Sequence, residues 1–319
     1  MMNRCFRFFA LVLLPAVAFA GAGPMDTLVV VNGASRDSRA LGAYYAEKHG
    51  LPPSHVCTIK TDPRSPSISR AFFEREIRQP ISEHLALHKL DGQIHFLVLC
   101  MDIPSRVENA NGITAALFYG FKSPAPDAPQ CNVAPDSVNQ YYAAEMAYSS
   151  TAGWNQTNAP IPFLLTAADL ETAKQVVDRA AAAVGSFPDG VFCLFGSADG
   201  ARNVRHRTYP VVARHFALFG KGDSIETNPM GSPLPSRPIA GYLTGLAYLP
   251  TNLVGAAFVP GAIGDHLTSC AGQIPDPCLG QSSVWDWMRL GATASYGTVS
   301  EPCSFEVKFP DPMIAFWYS

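Results

Sequence analysis

The stretch TLVVVN at residues 27–32 decides the fold of this chain. It is a short apolar run, mostly β-branched, that ends at Asn-Gly, and this pattern is typical of a strand buried on both faces of a parallel sheet. Helical periodicity over residues 38–48 follows, and Gly50 predicts the end of that helix. Residues 55–60 and 93–100 (QIHFLVLC) predict two more strands of the same sheet.

The rest of the chain continues to alternate helices with strands. Helices are predicted at residues 69–90 (broken or restarted at Pro80), 164–185, 209–219 and 284–290, and strands at residues 190–195, 256–259 and 292–299. Parallel strands joined by helices need crossover connections, which place helices over the faces of the sheet. The sequence therefore predicts an α/β fold, a three-layer sandwich with a mostly parallel sheet, built as one unit or as two subdomains.

Residues 1–20 have the pattern of a signal peptide. Arg4 and Arg7 precede a short apolar run, and Ala18-Phe19-Ala20 before Gly21 is typical of a cleavage site. The alternative is an N-terminal core helix. The run is too short to span a bilayer, and no later stretch reaches the length that a membrane helix needs. We therefore expect an exported protein, periplasmic or extracellular, with no transmembrane anchor in the mature chain.

The mature chain divides into two predicted subdomains. Residues 21–185 form the first and residues 186–319 the second. Residues 109–158 are rich in Pro, Asn, Ser and Tyr and show no sustained period, which predicts an irregular insertion in the first subdomain.

Composition excludes several classes of function. The 319 residues are 48% hydrophobic and only 15% charged, which indicates a folded chain with a sizeable core. A net charge of −3 gives no basic surplus for binding nucleic acid. Phosphate-binding glycine motifs, HExxH and CxxC spacings do not occur, so we predict no cofactor and no metal site.

Cys5 lies in the predicted signal peptide, and the seven other cysteines fall into two groups. Cys57, Cys100 and Cys193 lie in apolar strand-like runs, where a thiol acts as a small hydrophobic side chain. The better disulfide candidates lie in loop-like, Pro- or Gly-rich surroundings, and they are Cys131, Cys270, Cys278 and Cys303. Among these, Cys270 and Cys278 are separated by a short segment that permits a disulfide.

The densest polar cluster is GAIGDHLTSC at residues 261–270, after a predicted strand. In parallel α/β sheets the loops after the strands form the ligand crevice, which makes Thr268 and Ser269 candidate binding residues. Asp265, His266 and Cys270 are candidate catalytic residues, because a thiolate beside an imidazole is the usual activated sulfur. The alternative is a helix N-terminus with Cys270 in a disulfide.

Two further stretches could join the same crevice. Glu301 follows the small-residue strand of residues 292–299 and is a fourth candidate catalytic residue. Asp102 and Arg106 follow the strand that ends at Cys100 and are candidate binding residues. The competing interpretation is structural: Asp102 pairs with Arg106, and Glu301 pairs with Lys308 or Arg106.

These stretches together resemble one family. The early VVVN strand, LCMDIPSR at residues 99–106, GDHLTS at residues 264–269 and GATASYGTV with the following EPC are similar to an uncharacterised exported bacterial family found with exosortase-type sorting systems. The resemblance implies a binding or envelope- and matrix-assembly role without peptidase activity, with partners among envelope or extracellular matrix components. It also implies that this chain stops early, because family members continue past Lys308-Phe309-Pro310.

A looser resemblance is to the gingipain- and caspase-like cysteine peptidases, from the order of strand and helix units. That resemblance implies the same three-layer fold and, as the alternative function, a hydrolase that uses the loop of residues 265–270. This chain departs from the pattern, since residues 242–246 carry no His and residues 260–262 carry no Cys where those peptidases would have them. Whether the protein is an enzyme stays open on sequence alone.

Overall fold

The computed structural model describes residues 23–121, 160–187 and 189–315. They form an α/β protein in which mostly parallel sheets pack against helices. The strands are β1 (Thr27–Asn32), β2 (Val56–Ile59), β3 (Ser67–Ile68), β4 (Phe96–Cys100), β5 (Arg106–Val107), β6 (Asn111–Gly112), β7 (Ile161–Leu165), β8 (Val191–Phe195), β9 (Ile225–Asn228), β10 (Ile239–Thr244), β11 (Phe258–His266) and β12 (Ala294–Ser295). The helices are α1 (Arg36–His49), α2 (Arg70–Phe73), α3 (Gln79–His88), α4 (Ile113–Tyr119), α5 (Leu170–Ala183), α6 (Tyr209–Leu218) and α7 (Val284–Leu290).

Two parallel sheets share the same kind of strand order. The first has four strands in the order β2-β1-β4-β7, and the second has five in the order β12-β11-β10-β8-β9. In each sheet the chain moves outward on one side of its first strand and then returns to the other side. These reversals lie between β1 and β4 and between β8 and β10, and such points are where open parallel sheets form a crevice at the carboxyl ends of their strands. A small third sheet orders β3, β5 and β6.

Local sequence explains where the first helix begins and ends. The Ser35 hydroxyl accepts a hydrogen bond from the backbone N–H of Ser38 and caps the N-terminus of α1. Gly50 ends the helix in the left-handed conformation, with φ of 66°. Leu41 and Gly42 on the buried side bring α1 against β1, where a Cβ on Gly42 would collide with Val31. The helix predicted for residues 38–48 is therefore present and slightly longer.

The helix predicted to break or restart at Pro80 restarts there, because α3 begins at Gln79 and holds Pro80 in its first turn. α2 leads into a π-helical turn at Glu74–Arg78, and α3 follows without a gap. Proline cannot donate the helical hydrogen bond, and the wider turn directly before it accommodates that loss.

The two sheets share one hydrophobic core. Val29 and Val31 of β1 pack in the same cluster as Tyr242 of β10 and Trp287 of α7. The alternate residues of β1 belong to a second cluster with the α2–α3 helix, so both faces of this strand are covered. Helix α5 joins the halves directly, since Arg179 Nη2 donates to the carbonyls of Met288 and Ala292 at 3.1 and 2.9 Å.

Three predicted elements differ from the structure. Residues 164–185 were expected to be one helix, but the apolar start belongs to strand β7, and α5 begins after its Asp169 cap. Strand β11 runs to His266, well past the predicted end at residue 259, while β12 is only two residues long. Gly261 lies inside β11 in a left-handed conformation, with φ of 83°, as at a strand irregularity. Because glycine and polar residues interrupt its apolar pattern, the sequence did not predict the full length of this strand.

The predicted signal peptide and most of the predicted insertion lie outside the described residues, as does Cys131. The described part of that insertion is not wholly irregular, because it includes β6 and α4. Within the described ranges, none of the helices has the length and apolar character needed to cross a bilayer.

Candidate functional site

The end of strand β11 separates two residues that the sequence grouped together. Side chains alternate between the faces of a strand, so consecutive Asp265 and His266 lie on opposite faces of the five-stranded sheet. Asp265 meets Arg205, just before α6, and His266 meets Trp287 of α7. Asp265 and His266 therefore contact different parts of the protein, and the convergence of these two residues with Glu301 on one site stays a prediction.

His266 is held as a buried structural imidazole. Its Nδ1 accepts a hydrogen bond from Trp287 Nε1 at 2.9 Å, and its Nε2 lies 3.0 Å from the Ser282 carbonyl oxygen. These partners require the neutral Nε2–H tautomer. Burial lowers the pKa of His266 from its ordinary value of 6.5, against the raising effect of the Asp265 and Asp286 carboxylates. Both ring nitrogens are engaged, so neither can take a proton from a nucleophile.

Asp265 forms a buried ion pair. Its Oδ2 lies 2.5 Å from Arg205 Nη1, and both side chains are almost fully buried. Neither carboxylate oxygen accepts a hydrogen bond from the described residues, because the guanidinium directs its N–H groups at the carbonyls of Thr244 and Pro310, each at 3.1 Å. The pair is thus held by charge, and Arg205 joins the end of β10 to the C-terminal segment.

Cys270 forms a disulfide with Cys278, as the sequence allowed, with their Cα atoms 5.6 Å apart. Its sulfur is therefore not a thiolate, and Cys270 lies in a loop after β11 and not on a helix with His266. The dyad interpretation does not fit this arrangement. Cys303 is also disulfide-bonded, while Cys57, Cys100 and Cys193 are free and buried.

A recess of about 140 Å³ lies beyond the carboxyl end of β11. Three candidate site residues from the sequence line it, namely Thr268, Ser269 and Glu301, and Arg202 lines it beside Thr268. Arg202 is oriented by Asp199, since its Nη1 donates to Asp199 Oδ2 at 2.7 Å. Its Nε lies 3.2 Å from Thr268 Oγ1. The recess therefore joins the loop after β8 to the loop after β11.

Polar side chains fix the loop that forms the floor of this recess. Thr268 Oγ1 donates to Gln281 Oε1 at 2.7 Å, and the same oxygen accepts from the Ser269 N–H. The Thr298 hydroxyl lies within 2.9 and 2.7 Å of the carbonyls of Thr268 and Ser269. Because Gln281 follows Cys278 closely in sequence, the disulfide holds both partners of this network together. The recess is thus built on a rigid support.

Glu301 does not form the ion pair that the structural interpretation assigned to it. Its Oε1 accepts a hydrogen bond from the Cys303 N–H at 2.7 Å, and Glu301 forms no salt bridge within the described ranges. Lys308 Nζ instead donates to the carbonyl of Pro302. The carboxylate of Glu301 therefore stays at the exposed wall of the recess.

Asp102 follows the carboxyl end of β4 in the first sheet, and Arg106 begins β5 of the small third sheet; neither residue lines the recess. Asp102 adopts a left-handed conformation with φ of 63°, and its Oδ2 accepts from the Ser35 hydroxyl at 2.5 Å. The Asn32 side chain donates to its carbonyl oxygen at 2.7 Å. Arg106 Nε is buried without a hydrogen-bond partner among the described residues. The predicted pairing of Asp102 with Arg106 is not present.

A larger groove of about 420 Å³ runs along residues 71–82. One helix supplies all of its lining, and its charges already pair within that helix, as Arg78 does with Glu74. None of the candidate site residues from the sequence is among its lining residues. Across the described ranges, His, Cys, Asp and Glu side chains form no group of three that could hold a metal.

Sequence reasoning missed Arg202, Arg205 and Gln281. They lie in polar segments without a hydrophobic period, so no pattern marked them. Strand β8 was predicted, however, and the rule that loops after parallel strands carry ligand-binding groups points to Arg202 as directly as to Thr268. Arg205 could not be found in this way, because nothing in its neighbours indicates burial.

Comparisons with protein-family models, with curated proteins and with solved structures found no match for this chain. The function therefore has to be argued from the site itself.

Proposed function

We propose that this chain is an exported, non-peptidase binding protein of the exosortase-associated type, with a caspase- and gingipain-like three-layer fold. Its partners are components of the cell envelope or extracellular matrix, and it binds them through the recess at Arg202 and Glu301. The parallel five-stranded order and the helices packed on it are compatible with that fold. Export follows from the signal-peptide pattern.

One observation carries the choice against catalysis. The only cysteine–histidine combination that the loop offers is Cys270 with His266, and the sulfur is in a disulfide while both ring nitrogens are hydrogen-bonded. A cysteine hydrolase needs a free thiolate and a base able to accept its proton. The recess, by contrast, has polar groups of both charges at its surface, which suits binding.

The first experiment tests the absence of hydrolysis. Purified protein is incubated with fluorescent casein and with p-nitrophenyl acetate, with and without dithiothreitol. We expect background rates that are equal in the wild type and in a Cys270→Ala, Cys278→Ala variant. A reductant-dependent activity that is lost in this variant and retained in Cys57→Ala contradicts the proposal.

The second experiment tests binding. We expect the wild type to co-sediment saturably with envelopes isolated from the source cell, and Arg202→Met to lose this retention. Arg289→Met is the matched control, because Arg289 also pairs with an aspartate three residues earlier but lies on α7. Retention that is equal in all three proteins would exclude the recess as the binding site.

Export is tested separately. Mass spectrometry of the protein recovered from the envelope or medium should find Gly21 as its first residue. A chain that begins at Met1 would exclude export with cleavage after Ala20.

A further inference from the structure

The recess leaves specific hydrogen-bonding groups unused. Arg202 uses Nε and Nη1 for Thr268 and Asp199, and its Nη2 makes no hydrogen bond within the described part of the chain. The Ser269 hydroxyl and Glu301 Oε2 likewise make none there, although the Ser269 backbone and Glu301 Oε1 are engaged. The lining of the recess therefore holds a planar N–H donor, a hydroxyl and a carboxylate oxygen that no described residue uses.

The rest of the lining is mixed and the volume is small. Ala201, Leu267 and Pro302 supply apolar surface, with Leu267 and Pro302 buried, and Cys303 and Ser304 complete the lining. The volume of about 140 Å³ is well below the ~300–1,000 Å³ of pockets that hold drug-sized ligands. The recess thus accepts only a few non-hydrogen atoms, with a short carbon body between two polar ends.

We infer that the recess binds an α-amino carboxylate, either a free small amino acid or the last residue of a peptide. This inference rests on the proposed binding function and names its ligand class. The carboxylate meets Arg202 Nη2 and the Ser269 hydroxyl, because guanidinium is the preferred partner of a planar carboxylate. The nitrogen on the next carbon donates to Glu301, and a small side chain packs against Ala201 and Pro302. A carboxylate alone or an amine alone satisfies only one wall.

Titration calorimetry with four probes tests this assignment. L-Alanine carries both groups, N-acetyl-L-alanine represents a chain end, and propionate and ethylamine each carry one group. We expect saturable binding of at least one of the first two, and binding of propionate and ethylamine that is at least about tenfold weaker. Tighter binding of L-alanine assigns the site to free amino acids, and tighter binding of N-acetyl-L-alanine assigns it to chain ends.

Variants separate the two walls. Arg202→Met should abolish binding, while Arg202→Lys, which keeps the charge but not the planar fork, should weaken it. Glu301→Gln should weaken binding of L-alanine by about tenfold and leave propionate unchanged. Arg289→Met and Glu83→Gln are the matched controls on other helices and should bind as the wild type does. Circular dichroism melting curves verify that each variant is folded.

Two results would overturn the inference: no saturable binding of either amino-carboxylate probe up to about 10 mM, or a folded Arg202→Met variant that binds like the wild type. Envelope retention distinguishes this failure from that of the proposed function. If retention persists and depends on Arg202 while both probes fail, the ligand class is wrong and the binding role stands. If the probes bind and retention fails, the ligand class stands and the envelope role is wrong.

Discussion

His266 illustrates how the surroundings of one residue decide its role. A histidine beside an aspartate in a dense polar run is an attractive catalytic candidate, but here the ring connects Trp287 Nε1 to the Ser282 carbonyl in the core. Such a side chain supports the packing of α7 against β11. Its contribution to stability depends on the ring remaining neutral, because the buried site disfavours the charged imidazolium.

The pH dependence of stability follows from the lowered pKa of His266. Between that pKa and the ordinary value of 6.5, the unfolded chain binds a proton that the native ring does not. The part of the free energy of unfolding that depends on neutral His266 should therefore be complete above about pH 6.5 and should decrease as the pH falls below that value. His266→Phe should remove this part of the slope and cost about 2–3 kcal/mol, because Trp287 Nε1–H loses its acceptor.

Urea titrations from pH 8 to pH 5 measure both effects of this substitution. His88→Phe, at an exposed position of α3, is the matched control and should change stability by less than about 0.5 kcal/mol. If the difference between wild type and His266→Phe is the same at every pH, the ring does not titrate as proposed.

The energetic coupling of Asp265 and Arg205 comes mainly from the cost of leaving one of these charges buried without the other, and less from their mutual attraction. Removing one partner leaves the other charge uncompensated in the core, so Asp265→Leu and Arg205→Met should each destabilise by about 3–5 kcal/mol. Replacing both, as Asp265→Leu with Arg205→Met, should recover part of this loss, though not the hydrogen bonds to Thr244 and Pro310. Urea denaturation of the double-mutant cycle measures the coupling.

The exposed pair Arg207–Glu306 supplies the comparison. The same cycle with Arg207→Met and Glu306→Leu should give a coupling of less than about 1 kcal/mol. Equal couplings for the two pairs would show that burial does not set the energy of the Asp265–Arg205 pair.

At the scale of elements, the Cys270–Cys278 disulfide holds the loop after β11 against the segment that begins α7. Closing so short a loop reduces the entropy of the unfolded chain, and the Cys270→Ala, Cys278→Ala variant should lose about 2–3 kcal/mol in thermal or urea unfolding. The loss should be accompanied by faster hydrogen exchange at Thr268 and Ser269, because Gln281 is no longer held near them. Cys57→Ala, which removes a free buried thiol, is the control and should leave exchange in this loop unchanged. A variant as stable as the wild type would mean that Gln281 and Thr298 hold the loop without the covalent bond.

Elements with a strong apolar period could be predicted from the sequence, and those with mixed composition could not. β1 and α7 lie where their patterns placed them, because β1 is one short apolar run buried on both faces and α7 follows a Ser283 cap with buried residues on one side. β11 is different, since Pro260, Gly261 and Asp265 interrupt its pattern while its neighbours β10 and β12 supply the pairing partners. Tertiary pairing overrode local preference there, and the same effect turned a predicted loop site into a strand end.

The candidate site was predictable only in part for a related reason. Thr268, Ser269 and Glu301 follow predicted strands, so the topology of a parallel sheet brings them to one edge. Asp265 and His266 also follow that rule in sequence, but the side-chain alternation that separates them depends on where β11 ends. A shift of a few residues in that boundary changes which side chains can meet, and element boundaries are what a single sequence specifies least.

At the scale of the whole molecule, we expect the two predicted subdomains to unfold together, because they share one continuous hydrophobic core. Val31 and Leu41 from the first half pack in one cluster with Tyr242 and Trp287 from the second. Polar contacts cross the same boundary as well, among them those from Arg179 to the end of α7 and from Trp285 Nε1 to Thr166 Oγ1 at 3.0 Å. Loss of either half would expose this surface on the other, so neither half is expected to persist alone.

Alkylation of the buried free thiols of Cys57, Cys100 and Cys193 tests whether the two sheets unfold in one transition. Cys57 and Cys100 lie in the four-stranded sheet and Cys193 lies in the five-stranded sheet. Burial raises the pKa of Cys57 and of Cys100 to about 12 and raises that of Cys193 as well, so all three should resist alkylation until the core opens. Brief iodoacetamide pulses across a urea series, analysed peptide by peptide by mass spectrometry, should give one common midpoint. Separate midpoints for Cys193 and for the other two would mean that each sheet unfolds on its own, and that the predicted subdomains are independent folding units.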